Sequence, residues 1–568
     1  MPLFVHNLRP YTGDYPVSTT TLELESRSSS APTLSPARLR STGEPALVHD
    51  STLVTLFYPS TTPSGSNRAR HAPWIERPLA TSAKGYAKFL AKPEWLIKAL
   101  VWIFARNVYL AATVDEPIRP RDGPEPWPVV VLSHGLSGNR TTYSQYCGEL
   151  ASRGYVVAAL EHRDGSGPIS IVNLRRGDGD VVEKKEVCYI KQDDIYYPDV
   201  DDPPPFLTFR SAQLDLRLHE VSTAVSILRR IDAGQGSAVA RENLRRDDDE
   251  RARYEFEGWQ GRLDLERDVT MAGHSFGSST TIQILRHQAS SSSPSTMNGS
   301  PRFDFPFTRA IALDPWADPI PPAEMMSSDD EARDPVVEAL TGLGSDEPGR
   351  RRGRGDDVTE REKGRPLPDF ATSSPASSSS SMVKADRNDV GESSPSGPAP
   401  DPSSANPTPR VAVPLLVLNS EAFTLWKPHF YLVRDIVNTV KGAKGWFFTI
   451  LGSVHISFSD IPLLVPRAAT KKGTTDPYDC LRYTVEPSVE FLRGGGRCPP
   501  CAGPAREGRD ERDHAERPGY LDREVKAGDE EWVNKEGRGE EDKGPLKRTT
   551  DEERDGTGWV RMHVKGRF

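Results

Sequence analysis

The chain contains 568 residues, including 50 prolines and 45 glycines, and its mean hydropathy is −0.56. This composition predicts one large folded domain with long insertions that are too polar to form a core. The 72 basic and 81 acidic residues give a net charge of −9, and this balance argues against nucleic acid as the main partner because no basic excess exists to displace counterions.

The cysteines and the amino terminus bear on the compartment. The five cysteines are few and odd in number, which is typical of a reducing compartment. Cys498 and Cys501 have zinc-ribbon or redox spacing, but no second pair follows, so unpaired thiols are favoured over a metal or redox role. Residues 1–8 contain neither a basic segment nor a continuous apolar run, so we expect no secretory signal and a cytoplasmic location.

The first part of the chain divides into an irregular segment and a strand. Residues 1–45 are rich in Ser, Thr and Pro and are predicted to be loop or disordered, with the folded domain spanning residues 46–495. Residues 51–59 are the first run with strand character, and we expect this strand at an antiparallel edge of the sheet.

The most apolar segment, residues 95–110, is interrupted by two basic residues and is too short and too charged to span a bilayer. At helical periodicity, one face is apolar, whereas another places aromatic side chains beside basic ones. The first face comprises Leu96, Ile97, Leu100, Ile103, Phe104 and Val108, and the second comprises Trp95, Trp102, Tyr109, Lys98 and Arg106. The second face suits a lipid headgroup interface, and an ordinary core helix is the alternative.

Strands and helices alternate after this segment. Residues 128–136 form a β-branched run that ends in a His-Gly turn, and residues 155–160 predict the next strand. The charged tetrapeptide 161–164 is interpreted as structural, and residues 165–205 as an irregular excursion over one face. Residues 208–230 have apolar positions at helical spacing, so this helix should pack on a sheet.

Residues 269–278 form an apolar run that ends in Gly273-His274-Ser275-Phe276-Gly277. This Gly-x-Ser-x-Gly pattern lies between a predicted strand and a helical stretch, which is typical of a nucleophile elbow. Such an elbow exposes a serine on a sharp turn where flanking side chains would collide. Taken alone, the pentapeptide is equally compatible with a Gly/Ser turn between two core elements.

The carboxyl-terminal half alternates between strands and segments of low complexity. Strands are predicted at residues 308–314, 411–418 and 446–451, the last of which leads to His455. Residues 288–303 and 327–409 are expected to be disordered insertions, and residues 496–568 a charged disordered tail. The expected fold class is therefore α/β, with a mostly parallel central sheet flanked by helices.

A complete set of catalytic groups occurs in the chain order Ser275, Asp314, His455, which is the order of the α/β-hydrolase fold. His455 would take the proton of the serine hydroxyl, and Asp314 would orient the imidazole and stabilise its cation. The backbone amides of Leu136 and Phe276 would bind the developing oxyanion. Rival acids are Asp304, Asp318 and Asp460, but Asp314 alone follows directly on an apolar strand.

Several motifs between residues 50 and 495 resemble those of the platelet-activating factor acetylhydrolase family. They are Phe57-Tyr58-Pro59-Ser60, Ser133-His134-Gly135-Leu136, Glu161-His162-Arg163-Asp164, Gly273-His274-Ser275-Phe276-Gly277, Ala312-Leu313-Asp314, Asn419-Ser420-Glu421 and Gly452-Ser453-Val454-His455. Their number and order are far more specific than one pentapeptide. The helix that begins near Trp95 is similar to the segment of this family that docks on lipid surfaces.

The resemblance implies a calcium-independent phospholipase without cofactor or metal, which cleaves short or oxidised acyl groups from the sn-2 position of phosphatidylcholines. It implies the catalytic roles given above for the serine, aspartate and histidine, and it suggests that Trp316 lines the acyl pocket. The expected partners are a phospholipid substrate and, peripherally, the surface of a membrane or lipid particle.

This chain departs from the family pattern in its insertions, its tail and the Gly277-Ser278-Ser279 sequence after the elbow, where the family has a second glycine. Two other functions stay open. A generic carboxylesterase, or an enzyme like dienelactone hydrolase or cutinase, would share the triad but act on soluble esters. A non-catalytic lipid-surface protein would be expected only if a triad member were missing.

Overall fold

The computed structural model describes most of the chain between residues 8 and 494 and one short segment beyond it. The described residues are 8–26, 34–62, 70–176, 181–198, 200, 202–245, 256–291, 303–321, 411, 413–438, 440, 445–465, 475–494 and 559–562. The predicted insertion at 327–409 and the Cys498 and Cys501 pair lie outside this part of the chain.

One ten-stranded sheet organises the described residues. Its strands, in chain order, are β1 (Val17–Glu25), β3 (Ser51–Pro59), β4 (Thr113–Val114), β5 (Trp127–Ser133), β6 (Val156–Glu161), β10 (Leu263–His274), β11 (Arg309–Leu313), β12 (Leu415–Ser420), β13 (Gly445–Ile450) and β14 (Trp559–Met562). The spatial order is β14-β13-β12-β11-β10-β5-β6-β3-β1-β4. In this spatial order, the six neighbouring strands β13-β12-β11-β10-β5-β6 pair in parallel. Strand β3 pairs antiparallel with β1 and β6, and β14 pairs antiparallel with β13. Two small antiparallel pairs stand apart from it: β2 (Arg38–Leu39) with β9 (Ile195–Tyr196), and β7 (Ile169–Arg176) with β8 (Val181–Cys188).

Helices cover both faces of the sheet. They are α1 (Leu79–Leu90), α2 (Glu94–Phe104), α3 (Ser144–Ala151), α4 (Phe206–Arg230), α5 (Gly236–Glu242), α6 (Phe276–Ser291), α7 (Glu421–Thr424), α8 (Lys427–Asn438), α9 (Ile461–Leu464) and α10 (Pro477–Leu492). Val130 and Leu132 of β5 point to the same face because side chains alternate along a strand, and they pack in one apolar cluster with Tyr146 of α3 and Val489 of α10. Helix α4 packs on α6, β3 and β6, and neither α4 nor α6 contributes to that cluster, which places both on the opposite face.

This architecture confirms the predicted α/β-hydrolase fold with its mostly parallel sheet. The central strands are buried on both faces and accordingly read as continuous apolar runs, as in Val129–Leu132, where exposure does not exceed 2%. The predicted helix at 208–230 is also confirmed. None of the described helices is both long and apolar enough to cross a bilayer.

The amino-terminal prediction is wrong. Residues 17–25 form β1, which lies inside the sheet between β3 and β4, so the segment before residue 45 is not simply loop. Strand β3 is consequently an interior strand and not an edge. The run Val17–Leu24 contains four consecutive hydroxyl residues, Ser18 to Thr21, and its polarity hid a strand whose hydroxyls are largely buried against neighbours such as Thr113.

Three further expectations need correction. Residues 165–205 contain the β7–β8 hairpin and are not an irregular excursion throughout. Helix α6 continues to Ser291, so the expected insertion at 288–303 does not begin at residue 288. Residues 559–562 form β14 on β13, so the tail 496–568 is not disordered throughout.

Candidate active site

The turn after β10 has the geometry of a nucleophile elbow. Ser275 adopts a left-handed backbone conformation with φ of +56°, which is uncommon for a residue other than glycine. A Cβ atom on Gly273 would overlap the carbonyl of Gly277, and one on Gly277 would overlap the carbonyl of Ser133. Glycine is therefore required at both positions, because the strand, the turn and α6 approach each other more closely than side chains allow.

Three side chains from separate strand ends meet at this turn. The Oγ of Ser275 lies 2.8 Å from Nε2 of His455, and Nδ1 of His455 lies 2.7 Å from Oδ2 of Asp314. Ser275 and Asp314 are buried, whereas His455 is half-buried. The structure thus brings together all three residues that the sequence singled out, in the geometry of a serine, base and orienting acid.

The carboxylate of Asp314 is held by two donors besides the imidazole. The backbone N–H of Ser420 donates to Oδ1 at 2.7 Å, and the Ser420 hydroxyl donates to Oδ2 at 2.7 Å. Asp314 itself has φ of +44°. This strained backbone directs the carboxylate from the end of β11 towards the loop that carries His455, and the serine at the end of β12 fixes it there.

The rival acids lie elsewhere. Asp318 is exposed and accepts a hydrogen bond from the indole N–H of Trp316 at 3.0 Å, and Asp304 forms a surface ion pair with Arg229. Asp460 is buried, and its carboxylate accepts hydrogen bonds from Trp74, from Ser144 and from the backbone of Gln145. None of the three is hydrogen-bonded to His455 in the described structure.

The imidazole of His455 is packed between two rings. Phe423 stacks on it with ring centroids 4.2 Å apart, and His274 lies 4.7 Å away. Nε2 of His274 donates to the carbonyl oxygen of His455 at 3.1 Å, and its Nδ1 accepts from the Tyr143 hydroxyl at 2.8 Å. Burial lowers the pKa of His274 well below its usual value. A neutral His274 with this tautomer satisfies both contacts and anchors the histidine loop to the elbow.

The two predicted oxyanion donors belong to chain segments that adjoin the nucleophile. Phe276 is the first residue of α6, so its N–H has no acceptor one turn earlier in the helix. Leu136 follows Gly135, and a Cβ on Gly135 would lie 2.9 Å from Cβ of Ser275, which shows how closely this turn approaches the serine. The Gly135 N–H is held by the Tyr143 hydroxyl at 3.1 Å.

Trp316 lies directly beside these groups. It is 2% exposed, its backbone N–H donates to the carbonyl of Ser275 at 3.2 Å, and its ring centroid is 5.7 Å from that of Phe276. Trp316 therefore lies next to the nucleophile, with its indole N–H engaged by Asp318. Its role in lining an acyl pocket stays a prediction.

A polar cluster that the sequence did not predict contacts the end of β5 and the turn after it, residues 134–137, here called the oxyanion turn after its predicted role. Gln213, Arg217 and Glu220 on the buried face of α4 contact the charged tetrapeptide 161–164. Glu220 lies 2.5 Å from Nδ1 of His162, whose Nε2 lies 2.7 Å from the Ser133 hydroxyl. A signal existed, because these polar residues are spaced four and three apart within an apolar helix stripe. The interpretation of residues 161–164 as structural agrees with this burial.

Helix α2 has exposed side chains on both of its predicted faces. Trp95 is 71% exposed and Trp102 56% exposed, while the guanidinium of Arg106 lies 3.8 Å from the Trp102 ring centroid. Lys98 forms an ion pair with Glu94 at 2.7 Å. Leu100 and Ile103 of the predicted apolar face are exposed, because only Ile97 and Val101 of this helix reach the core. The helix ends at Phe104, so Arg106 and Tyr109 lie beyond it and not on its face as predicted.

The described residues contain one cluster with possible metal ligands. His274, Asp314 and His455 place one ligand atom each within 4.8 Å of one another. Their nitrogen and carboxylate atoms are those already engaged in the hydrogen bonds given above, so an ion would have to displace the contacts that align Ser275 and His455.

The sequence matches the family described as platelet-activating factor acetylhydrolase, isoform II, over residues 8–337 and 402–497. The platelet-activating factor acetylhydrolase of Canis lupus familiaris is 29% identical over 270 residues, which cover 47% of this chain and 51% of the relative. A putative phospholipase A2 of Schizosaccharomyces pombe is 30% identical over 233 residues, which cover 40% of this chain and 48% of the relative. These alignments span about half the length of the curated relatives.

A ferulic acid esterase from Streptomyces cinnamoneus is a solved structure similar to this chain, with a TM-score of 0.44 and 16% identity over 88% of this chain and 96% of that one. The family match covers far more of the sequence than any single motif does. Since it includes more than half of the chain, the chain belongs to the platelet-activating factor acetylhydrolase, isoform II, family.

Proposed function

We propose that this protein is a serine esterase that hydrolyses the sn-2 acetyl, short or oxidised acyl ester of phosphatidylcholines resembling platelet-activating factor. The products would be a lysophospholipid and a carboxylic acid. The observation that carries the proposal is the hydrogen-bond relay from Ser275 through His455 to Asp314, with distances of 2.8 and 2.7 Å. Family membership supports the ester-hydrolysing class, and the names of the relatives support a phospholipid substrate.

The relay accounts for acylation of the serine. Ser275 Oγ attacks the carbonyl carbon while its proton passes to Nε2 of His455. Asp314 keeps Nδ1–H directed towards itself and stabilises the imidazolium that forms. The carbonyl oxygen becomes an oxyanion between the N–H groups of Leu136 and Phe276, and each such donor contributes about 3 kcal/mol to transition-state stabilisation. Collapse of this intermediate breaks the ester bond, and His455 returns the proton to the departing lysophospholipid alcohol.

Deacylation uses the same groups with water as the nucleophile. His455 takes a proton from the water as its oxygen attacks the acyl carbon, and the second oxyanion occupies the same pair of amides. Breakage of the bond to Ser275 Oγ, which regains its proton from His455, releases the carboxylic acid. No step requires a metal or an organic cofactor.

The exposed side of α2 and the segment that follows it as far as Tyr109 supply the proposed contact with lipid. Trp95, Trp102 and Tyr109 are 71%, 56% and 47% exposed, and Leu100 and Ile103 extend the apolar area. Aromatic side chains next to Lys98 and Arg106 suit the boundary between headgroups and acyl chains. We propose that this surface places the protein peripherally on a phospholipid membrane or lipid particle.

The decisive experiment compares three substrates with the full chain: a 2-acetyl phosphatidylcholine, a long-chain 2-acyl phosphatidylcholine and a soluble short-chain ester. We expect the first to be turned over much faster than the second. Turnover of the soluble ester without turnover of either lipid would instead indicate a generic carboxylesterase.

Ser275→Ala and His455→Ala should each abolish all turnover while circular dichroism shows a folded protein, because the two residues act as one unit. Activity near that of the unmodified chain in either variant would refute the serine mechanism.

A further inference from the structure

Arg217 contacts both chain segments that carry the proposed oxyanion amides. It lies on α4 with its side chain fully buried. Its Nη1 donates to the carbonyl oxygen of His134 at 2.9 Å, two residues before Leu136. Its Cζ lies 4.2 Å from the centroid of the Phe276 ring, and the same Nη1 reaches the Thr280 hydroxyl of α6 at 3.2 Å. One guanidinium group therefore joins the turn after β5 to the first turn of α6.

The same guanidinium also fixes the far side of the turn. Nη2 of Arg217 donates to the Ser166 hydroxyl at 2.6 Å, and the carbonyl of Ser166 accepts the N–H of Ser137 at 2.8 Å. Ser137 has φ of +59° and follows Leu136 directly. Leu136, which carries the first amide, is thus held on both sides. Arg217 contacts His134 directly, and it reaches Ser137 only through Ser166, whose hydroxyl it binds.

Asp164 holds the guanidinium in this orientation. Its Oδ2 accepts from Nε of Arg217 at 2.7 Å, and both side chains are fully buried. Its Oδ1 accepts the N–H of Ser166 at 2.9 Å, and its carbonyl accepts from Gln213. A planar guanidinium with five donors can serve several acceptors at once, whereas an ammonium is a point charge that cannot span them.

We propose that Arg217, oriented by Asp164, is a positioning residue that sets the separation and direction of the two oxyanion amides. The inference rests on the proposed function. Oxyanion stabilisation depends on donors that are already placed 2.7–3.1 Å from the position that the oxyanion will occupy. A shift of the His134-Gly135 turn against α6 therefore weakens transition-state binding more than substrate binding.

The principal variant is Arg217→Lys, which keeps a positive charge beside Asp164 but removes the bridge. We expect kcat for the soluble ester to fall about 10- to 100-fold while KM changes less than about twofold. The Ki of a trifluoromethyl ketone, whose tetrahedral adduct places an oxyanion between the amides, should rise by about the same factor as kcat falls. The Ki of an unreactive ether analogue of the lipid should stay the same.

Arg163→Lys is the matched control. Arg163 is an equally buried arginine one residue before Asp164, and its guanidinium pairs with Glu23 at 2.6 Å and contacts Ser170 and Ile171. These are not residues of the oxyanion turn or of α6. We expect this variant to lower the thermal midpoint while kcat and the ketone Ki stay close to those of the unmodified chain.

A second variant tests the proposal if Arg217→Lys does not fold. Arg217→Gln combined with Asp164→Asn removes both charges together, so neither is left unpaired in the core. The proposal is overturned if either folded Arg217 variant retains the kcat of the unmodified chain, or if both inhibitors lose affinity equally. If the unmodified chain itself hydrolyses no ester, the proposed function fails. If it does and Arg217→Lys matches it, only the present inference fails.

Discussion

At the scale of single residues, the choice of the acid shows how the site is built. Asp314 and Asp318 are four residues apart in sequence, yet only Asp314 reaches His455, because a left-handed backbone at the end of β11 directs its carboxylate towards the histidine loop. The hydroxyl and N–H of Ser420 then hold that carboxylate in place. Asp318 is exposed and bonded to the Trp316 indole, a contact that suits a role in packing.

Asp314→Asn should lower kcat by about four orders of magnitude, because an amide donor disfavours the imidazole tautomer that accepts the serine proton. Steady-state hydrolysis of a soluble ester checks this, with Asp318→Asn as the matched control that should lose little. A larger loss in Asp318→Asn than in Asp314→Asn would transfer the role of the acid to Asp318.

A histidine outside the active site provides a test of pH dependence. Burial lowers the pKa of His287 to about 4, below its ordinary value of about 6.5. Between these two values the unfolded chain binds more protons at this residue than the folded chain does. The stabilisation is therefore present above about pH 6.5 and is lost as the pH falls towards 4.

In His287→Gln, the dependence of the unfolding free energy on pH should become shallower by up to about one proton over this window. Urea unfolding at a series of pH values measures the slope. An unchanged slope in the variant would mean that His287 does not titrate abnormally in the folded protein.

At the scale of elements, α2 is the helix whose pattern and packing disagree. Its periodicity predicted an apolar face that includes Leu100 and Ile103, but these side chains are 41% and 46% exposed. The helix packs on α1 and sends only Ile97 and Val101 into the core. This short peripheral helix therefore exposes large apolar side chains to solvent, and such an exposed apolar patch supports the proposed lipid contact.

Replacing Trp102 and Tyr109 together by Ser should weaken binding to phosphatidylcholine vesicles by about tenfold or more, since two large aromatic surfaces no longer leave water. Hydrolysis of a soluble ester should persist, because neither residue touches the triad. Vesicle sedimentation and an ester assay measure the two properties separately.

Leu207→Ser is the control for this pair, because Leu207 is 38% exposed on α4, outside the α2 surface. It should leave vesicle binding unchanged. Loss of both properties together in the double variant, or its unfolding, would assign the aromatic residues to the core and contradict the interfacial role.

At the scale of the whole molecule, the sheet joins parts of the chain that are far apart in sequence. Strands β11 and β12 are parallel neighbours, with Ile311 opposite Leu416, although the chain between them is about a hundred residues long. Both strand ends contribute to the site, Asp314 after one and Ser420 at the end of the other. The pairing of these two strands places Asp314 beside Ser420. We therefore expect the site to depend little on the length of the connection.

Deletion of residues 330–405 should leave ester hydrolysis within about twofold of the full chain. The remaining residues 322–329 and 406–414 still exceed the dozen or so that a parallel crossover requires, and shortening a loop changes its closure entropy only slowly. Activity and the thermal midpoint test this. Loss of activity in a folded deletion variant would show that the segment contributes to the site.

The local features of this protein could be read from short stretches of its amino-acid sequence. The elbow could be recognised because two glycines around a serine meet a steric requirement set within five residues. The order of Ser275, Asp314 and His455, and the strands before them, follow from short apolar runs that end in polar side chains. Helix α4 was predictable for a similar reason, because its period repeats over 25 residues.

Contacts between residues that are far apart in sequence could be found only from the folded arrangement. Strand β1 is rich in Thr and Ser, and its place in the sheet depends on pairing with β3 and β4. Arg217 lies in a helix that looks merely amphipathic, and its contacts with His134, Ser166 and Phe276 join segments separated by up to 142 positions in sequence. Such contacts leave no periodic signal, because hydrogen-bond partners that are brought together by folding need no fixed spacing along the chain.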